Sequence, residues 1–142
     1  MKNILMYLFL IVCVFIVIFM VNRAKIPSCK VVIDNQVIQV FEDNNYCWTG
    51  FIQTECLDSY GPMEILDKDV NIVVGREKEI DITFSRKPES VICEIWKAGS
   101  EEPIKLNLNE LKTSNLKGQY TLSVFAVFKQ GNVLYLYRFD VE

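Results

Sequence analysis

The sequence predicts a mainly β chain, a β-sandwich domain preceded by one amino-terminal transmembrane helix. Three observations carry that prediction. Residues Ile4 to Val21 form an apolar run that no charge interrupts. Behind it come about seven short stretches rich in β-branched and aromatic residues, separated by turn-forming residues. No stretch after the run has the apolar spacing of a long amphipathic helix.

The apolar run is bracketed by Lys2-Asn3 and by Asn22-Arg23-Ala24-Lys25. As a helix it rises roughly 27 Å, close to the ~30 Å hydrocarbon core of a bilayer. A water-soluble domain has no use for a segment that is apolar on every side. Residues 4–21 are therefore expected to meet the lipid bilayer, within an anchor segment 1–25. A cleaved signal peptide has a shorter apolar region and small residues at the cleavage point, and Phe19, Met20, Val21 and Asn22 do not provide them. In Leu10-Ile11-Val12-Cys13 the valine is too large for a lipid-attachment site, and the run continues past the cysteine. An uncleaved signal anchor is the expectation. Lys2 flanks one side, and Arg23, Lys25 and Lys30 flank the other, so the positive-inside rule leans slightly against an outward carboxyl domain. The very short amino-terminal tail and the cysteine usage place the domain 26–142 outside. The expected location is the cell membrane, single-pass, with the carboxyl-terminal domain extracytoplasmic.

The strands follow in order. Lys30–Ile33 and Gln36–Phe41 flank Asp34-Asn35, a pair that tolerates the left-handed backbone of tight hairpin turns. Val70–Val74 is a short apolar strand closed by Gly75. From Glu79 to Phe84, Ile80, Ile82 and Phe84 alternate with Asp81 and Thr83, the period of a half-buried strand. Ser85–Ser90 is a turn, Val91–Trp96 a strand, and Lys97–Pro103 a polar loop. Ile104, Leu106 and Leu108 alternate with polar residues, and Asn109–Leu116 has room for a single helical turn. Gln119–Phe128 and Val133–Val141, joined by Lys129–Asn132, form the last hairpin. Leu116-Lys117-Gly118-Gln119-Tyr120 resembles the tyrosine corner of immunoglobulin-like sandwiches. An antibody domain also has a cysteine two residues after that tyrosine; here it is Leu122. The fold class is therefore an immunoglobulin-like β-sandwich in the wider sense.

Of the fifteen basic residues Lys2 and Arg23 are set aside with the apolar run, and the chain after Arg23 keeps thirteen against eighteen acidic ones, a net charge of −5. No basic patch with interleaved aromatics is present, which argues against nucleic acid. Beyond the Arg23, Lys25 and Lys30 collar, attraction to anionic lipid is not expected.

Four cysteines lie in the domain: Cys29, Cys47, Cys56 and Cys93. An even count in an exported domain points to bridges, and four cysteines allow three pairings. Cys47 and Cys56 stand at either end of a short loop, and closing it contributes ~2–3 kcal/mol. That pairing is favoured. Cys29 and Cys93 are then left to pair with each other, or to stand as a linker thiol and a small core residue. A structural zinc site would bring C-x-x-C clusters, and there are none; no metal or other cofactor is expected.

No catalysis is expected either. With no histidine, Ser-His-Asp, Cys-His and His-metal sites are excluded. Asp67-Lys68-Asp69-Val70-Asn71 starts like a calcium loop but has Ile72 where glycine is required and Lys78 where glutamate is required. Glu101-Glu102 reads as a solvated turn. The best candidate surface is Tyr46–Pro62, with Tyr46, Trp48, Phe51 and Tyr60 as binding anchors, because aromatics on a rigid loop give large contact area at low entropic cost. The competing reading of Trp48 is packing at one end of the sandwich.

Tyr46-Cys47-Trp48, Cys56-Leu57-Asp58, Gly61-Pro62, the strand ending at Phe84 and Gly118-x-Tyr120 together resemble a group of small exported or membrane-anchored domains of Gram-positive bacteria. That resemblance covers most of Lys30–Val141. It implies an envelope location, the Cys47–Cys56 pairing and a sandwich fold, and it implies no substrate. The functional expectation is a membrane-tethered, non-catalytic module that binds another envelope protein. The alternative is a small-ligand or cell-wall-component binder that uses the aromatic segment as a stacking platform.

Overall fold

A computed structural model describes the chain outside residues 1, 42–44, 67–71, 98, 101 and 108–110, and outside the side chains of 2, 3, 5 and 21–24. The incipient calcium loop 67–71, the first residue of the Glu101-Glu102 pair, much of the strand predicted over 70–74 and the start of the predicted turn 109–116 lie outside the described residues.

The element order is α1 (Lys2–Ala24), β1 (Cys29–Ile33), β2 (Gln36–Ile38), β3 (Asn45–Thr49), β4 (Thr54–Leu57), β5 (Val73–Val74), β6 (Ile80–Phe84), β7 (Ser90–Lys97), β8 (Ile104–Leu106), β9 (Gly118–Phe128) and β10 (Gly131–Val141). The chain is mainly β, with two sheets and one helix. Side chains of α1 are described without a break from Met6 to Met20, a stretch shorter than a bilayer crossing requires. Among the described residues, no helix is long and apolar enough to cross a membrane.

One sheet has the order β2-β1-β6 and the other β4-β3-β10-β9-β7-β8, with β5 added to β10. Asp34 and Asn35 both take positive φ, 52° and 62°, as the predicted β1–β2 turn demands. The alternation in β6 survives as a buried Ile80 and half-buried Ile82 and Phe84 against exposed Asp81 and Thr83. The two longest strands supply most of the core. Tyr120, Leu122, Val124, Ala126 and Phe128 of β9, and Val133, Tyr135, Tyr137, Phe139 and Val141 of β10, meet Val31, Ile33, Ile38 and Ile80 of the other sheet in one hydrophobic cluster. The reverse face of the long strands is covered in part. Arg138 is buried there and donates to the Ile65 carbonyl at 2.8 Å and to Gln119 Oε1 at 3.2 Å.

The outer edge of β10 is covered along its length by three short segments. β3 pairs with Gly131–Leu134, Val40 bridges Tyr137, and β5 runs parallel beside Asp140 and Val141. Among the described residues the outer strands of this sheet are β4 and β8, four and three residues long. Short edges are poor templates for intermolecular pairing. At the start of β9 the Tyr120 hydroxyl turns back on Lys117, donating to its carbonyl at 3.1 Å and accepting from its amide at 3.0 Å. The residue pattern Gly118-x-Tyr120 thus closes a local corner.

The stretch from Cys47 to Cys56, read from the sequence as a loop, is a hairpin. β3 and β4 pair antiparallel with Cys47 directly opposite Cys56. Sequence pattern missed these strands because β4 is exposed at all four positions and three of the five β3 residues are only half-buried. Neither strand offers a clear apolar alternation.

Candidate functional site

The β3–β4 hairpin is fastened from within and from below. The Cys47–Cys56 disulfide crosses it. The Gly50 amide donates to the Gln53 carbonyl at 2.9 Å, and the Thr49 and Thr54 hydroxyls meet at 3.0 Å. The Thr49 amide reaches the Gln130 carbonyl at 2.7 Å, which ties the hairpin to the β9–β10 turn. Its tip carries Phe51 and Ile52, 68% and 92% exposed.

The four aromatic candidates separate. Trp48 is a core residue, 3% exposed. Its ring lies 5.7 Å from that of Phe128, nearly edge-on, and the Arg86 guanidinium sits 5.7 Å over it. Packing is therefore its first role. Tyr46 is half-buried, and its hydroxyl reaches Glu55 Oε1 at 3.4 Å. Desolvation, with the Glu55 carboxylate beside it, pushes the Tyr46 phenol above its ordinary value. Tyr46, Trp48 and Phe51 line one cleft with Ile26, Ile52, Gln53 and Glu55. Tyr60 is elsewhere, edge-on to Phe41 at 6.0 Å, with its carbonyl accepting from Asn45 Nδ2 at 3.0 Å. Adjacency along the sequence did not place Tyr60 with the others, because Cys56–Leu57 ends the hairpin and the chain leaves it.

Ile52 was not among the sequence candidates. The signal that marks it is local: an apolar pair set between Thr49-Gly50 and Gln53-Thr54, polar and turn-forming residues on both sides. Nor did the sequence place the hydroxyls of Tyr135 and Tyr137. They donate to the Pro27 carbonyl at 2.7 Å and the Cys29 carbonyl at 2.9 Å, across 108 residues in each case. These bonds fix the chain just after α1 onto the carboxyl-terminal strand.

The second bridge considered from the sequence does not form. Cys29 and Cys93 are free thiols, both buried in the core cluster. Burial pushes Cys29 up to about 11, partly offset by its hydrogen bond with Tyr137. Burial, with Cys29 nearby, pushes Cys93 up to about 12. Among the described residues no group of three or more histidine, cysteine or acidic side chains is placed to hold a metal ion.

A prediction follows for both thiols. At pH 8 the folded chain should leave Cys29 and Cys93 untouched by a thiol reagent, and denaturant should release both. Rapid labelling in the folded state would contradict their burial. The alkaline dependence has a definite sign. Above the ordinary thiol value of 9.0 the unfolded chain loses protons that the folded chain keeps until about 11 and about 12. The unfolded state then binds fewer protons, so stability falls as pH rises through that window. Denaturation midpoints measured from pH 8 to pH 11 should decline, and a Cys29→Ala, Cys93→Ala chain should decline less.

Comparison with known proteins returns no match to this chain among family models, curated proteins or solved structures.

Proposed function

We propose that the chain is a membrane-tethered, non-catalytic extracytoplasmic module whose body, an immunoglobulin-like β-sandwich, binds another envelope protein. The observation that carries this reading is the exposure of α1. Ile4 and every residue from Met6 to Phe19 except Cys13 are exposed, and nearly all are apolar. Among the described residues most of that surface stays open, so in water it would be costly, at roughly 25 cal/mol per Å² of apolar area. A helix satisfies its own backbone hydrogen bonds, which is what hydrocarbon demands, and the sequence run 4–21 supplies the length. The two sheets around one core and the Tyr120 corner favour the sandwich. The Cys47–Cys56 bridge favours an oxidising compartment, in keeping with the resemblance to exported Gram-positive domains.

A protein partner is favoured over a wall component by the position of the aromatic cleft. It borders Ile26, just past the end of α1, and so belongs at the membrane end of the body. Wall polymers would be met more readily at the opposite end.

Crosslinking in intact membranes followed by mass spectrometry tests the proposal. A discrete envelope protein should be recovered with the full chain and not with one that carries α1 alone. Recovery of no partner, or protection of the body from protease added to spheroplasts, would overturn it.

A further inference from the structure

The end of the β body next to α1 combines two features that the sequence keeps apart. One is the apolar tip Phe51-Ile52. A cleft between this tip and the helix is lined by Val12, Phe15, Ile16, Phe19, Met20 and Phe51. The other is a set of cations brought to the same end by the turns. Arg86 donates to the Lys25 carbonyl at 3.5 Å and to Gln130 Oε1 at 3.4 Å, which joins the β6–β7 turn, the β9–β10 turn and the end of α1. Lys87 and Lys129, both exposed, stand in those two turns, and Lys25 is exposed beside them. Glu89 lies in the first turn and Glu55 three residues past the hairpin tip, so the cations outnumber the acids there.

We propose that the hairpin tip inserts into the bilayer leaflet beside the anchor helix, with Phe51 and Ile52 in hydrocarbon and Lys25, Arg86, Lys87 and Lys129 at headgroup level. This inference rests on the tether reading above. Depth supports it. From Val12 to Val21 the helix rises roughly 13 Å, close to the ~15 Å half-thickness of the hydrocarbon core. A tip beside Val12–Met20 therefore lies within the near leaflet. The tip is built for that medium. Residues 49–54 carry no charge, and the turn closes on itself through the Gly50–Gln53 bond and the paired threonine hydroxyls. Hydrocarbon penalises unsatisfied backbone groups by several kcal/mol each, and the Gly50–Gln53 bond removes part of that cost. The disulfide holds the hairpin together as it enters. Lysine and arginine near an anionic leaflet contribute ~1 kcal/mol apiece, so on this proposal the attraction extends past the Arg23, Lys25 and Lys30 collar expected from the sequence. Two points of attachment orient the body, with Phe51 and Ile52 given to the leaflet and the Tyr46 and Glu55 side of the cleft left to the partner.

The test uses the full chain at low density in vesicles of phosphatidylcholine and phosphatidylglycerol. Ile52→Trp, Ile16→Trp and Tyr60→Trp are compared with the unmodified chain. Added emission is read with lipids brominated along the acyl chain. Ile52→Trp and Ile16→Trp should be blue-shifted and quenched, and Tyr60→Trp should not. An unquenched Ile52→Trp beside a quenched Ile16→Trp overturns tip insertion and leaves the tether standing. A blue-shifted but unquenched Ile52→Trp means protein covers the tip, a second copy or the chain's own helix, and also overturns it. If Ile16→Trp is unquenched, or alkaline carbonate strips the chain from the vesicles, the tether reading fails and takes this inference with it.

Discussion

Gly131→Ala should separate β3 from β10 and destabilise the body on the order of 3 kcal/mol. A Cβ at this position would lie 1.9 Å from the Cys47 carbonyl oxygen and 3.0 Å from both the Cys47 carbonyl carbon and the Trp48 Cα. All three are backbone atoms of the paired strand, so no side chain can swing aside. Gly131 also holds φ at +155°, where L side chains are rare. The strand pair must therefore open or shift, and the Thr49–Gln130 bond and the burial of Trp48 go with it. Gly118→Ala is the comparison. It has φ +96° but nothing within 4 Å of the added carbon, so its cost is confined to backbone preference, about 1 kcal/mol. Urea denaturation should rank Gly131→Ala well below Gly118→Ala. Trp emission of Gly131→Ala should move to the red as Trp48 meets water. Equal midpoints for the two variants would refute the close approach.

How much of this was legible in the sequence depended on burial. β6, β9 and β10 have one face in the core, and selection for that face writes a period of two into Ile80–Phe84, Tyr120–Phe128 and Val133–Val141. The Asp34-Asn35 turn and the Tyr120 corner were legible because backbone geometry restricts which residues serve there. β3 and β4 were not, since an exposed edge strand such as Thr54–Leu57 places no periodic demand on its side chains. The candidate site divided along the same line. Tyr46, Trp48 and Phe51 share a cleft because a short hairpin keeps them together, while Tyr60 had already left it. The cations at the helix end come from residues 25, 86, 87 and 129, and only the return of β6–β7 and β9–β10 to one end assembles them. No local pattern encodes that.

Tyr137 should be the most costly single side chain to lose. It is fully buried, and it joins two things: the core between the sheets and the carbonyl of Cys29. Tyr137→Ala removes the ring and leaves a cavity, about 3–5 kcal/mol by analogy with other aromatic truncations. The total stability of a domain this size is roughly 5–15 kcal/mol, so this one change consumes a large share of it. Tyr137→Phe keeps the ring and loses only the donor, about 1 kcal/mol. Tyr135→Phe should cost a similar amount, since its hydroxyl donates to the Pro27 carbonyl. The two hydroxyls hold one short segment, Pro27–Cys29, so the double variant should depart from additivity. Once one bond is gone the segment is freer, and the second bond stabilises less. The consequence reaches α1, because Pro27 and Cys29 are where the chain after that helix is fastened to β10. Hydrogen exchange at Ile26–Cys29 should accelerate in the Tyr135→Phe, Tyr137→Phe chain while Val124–Phe128 stays protected. If exchange rises equally across β9, the hydroxyls stabilise the whole core. A selective rise means that they govern the joint, and with it how rigidly the β body is held to α1.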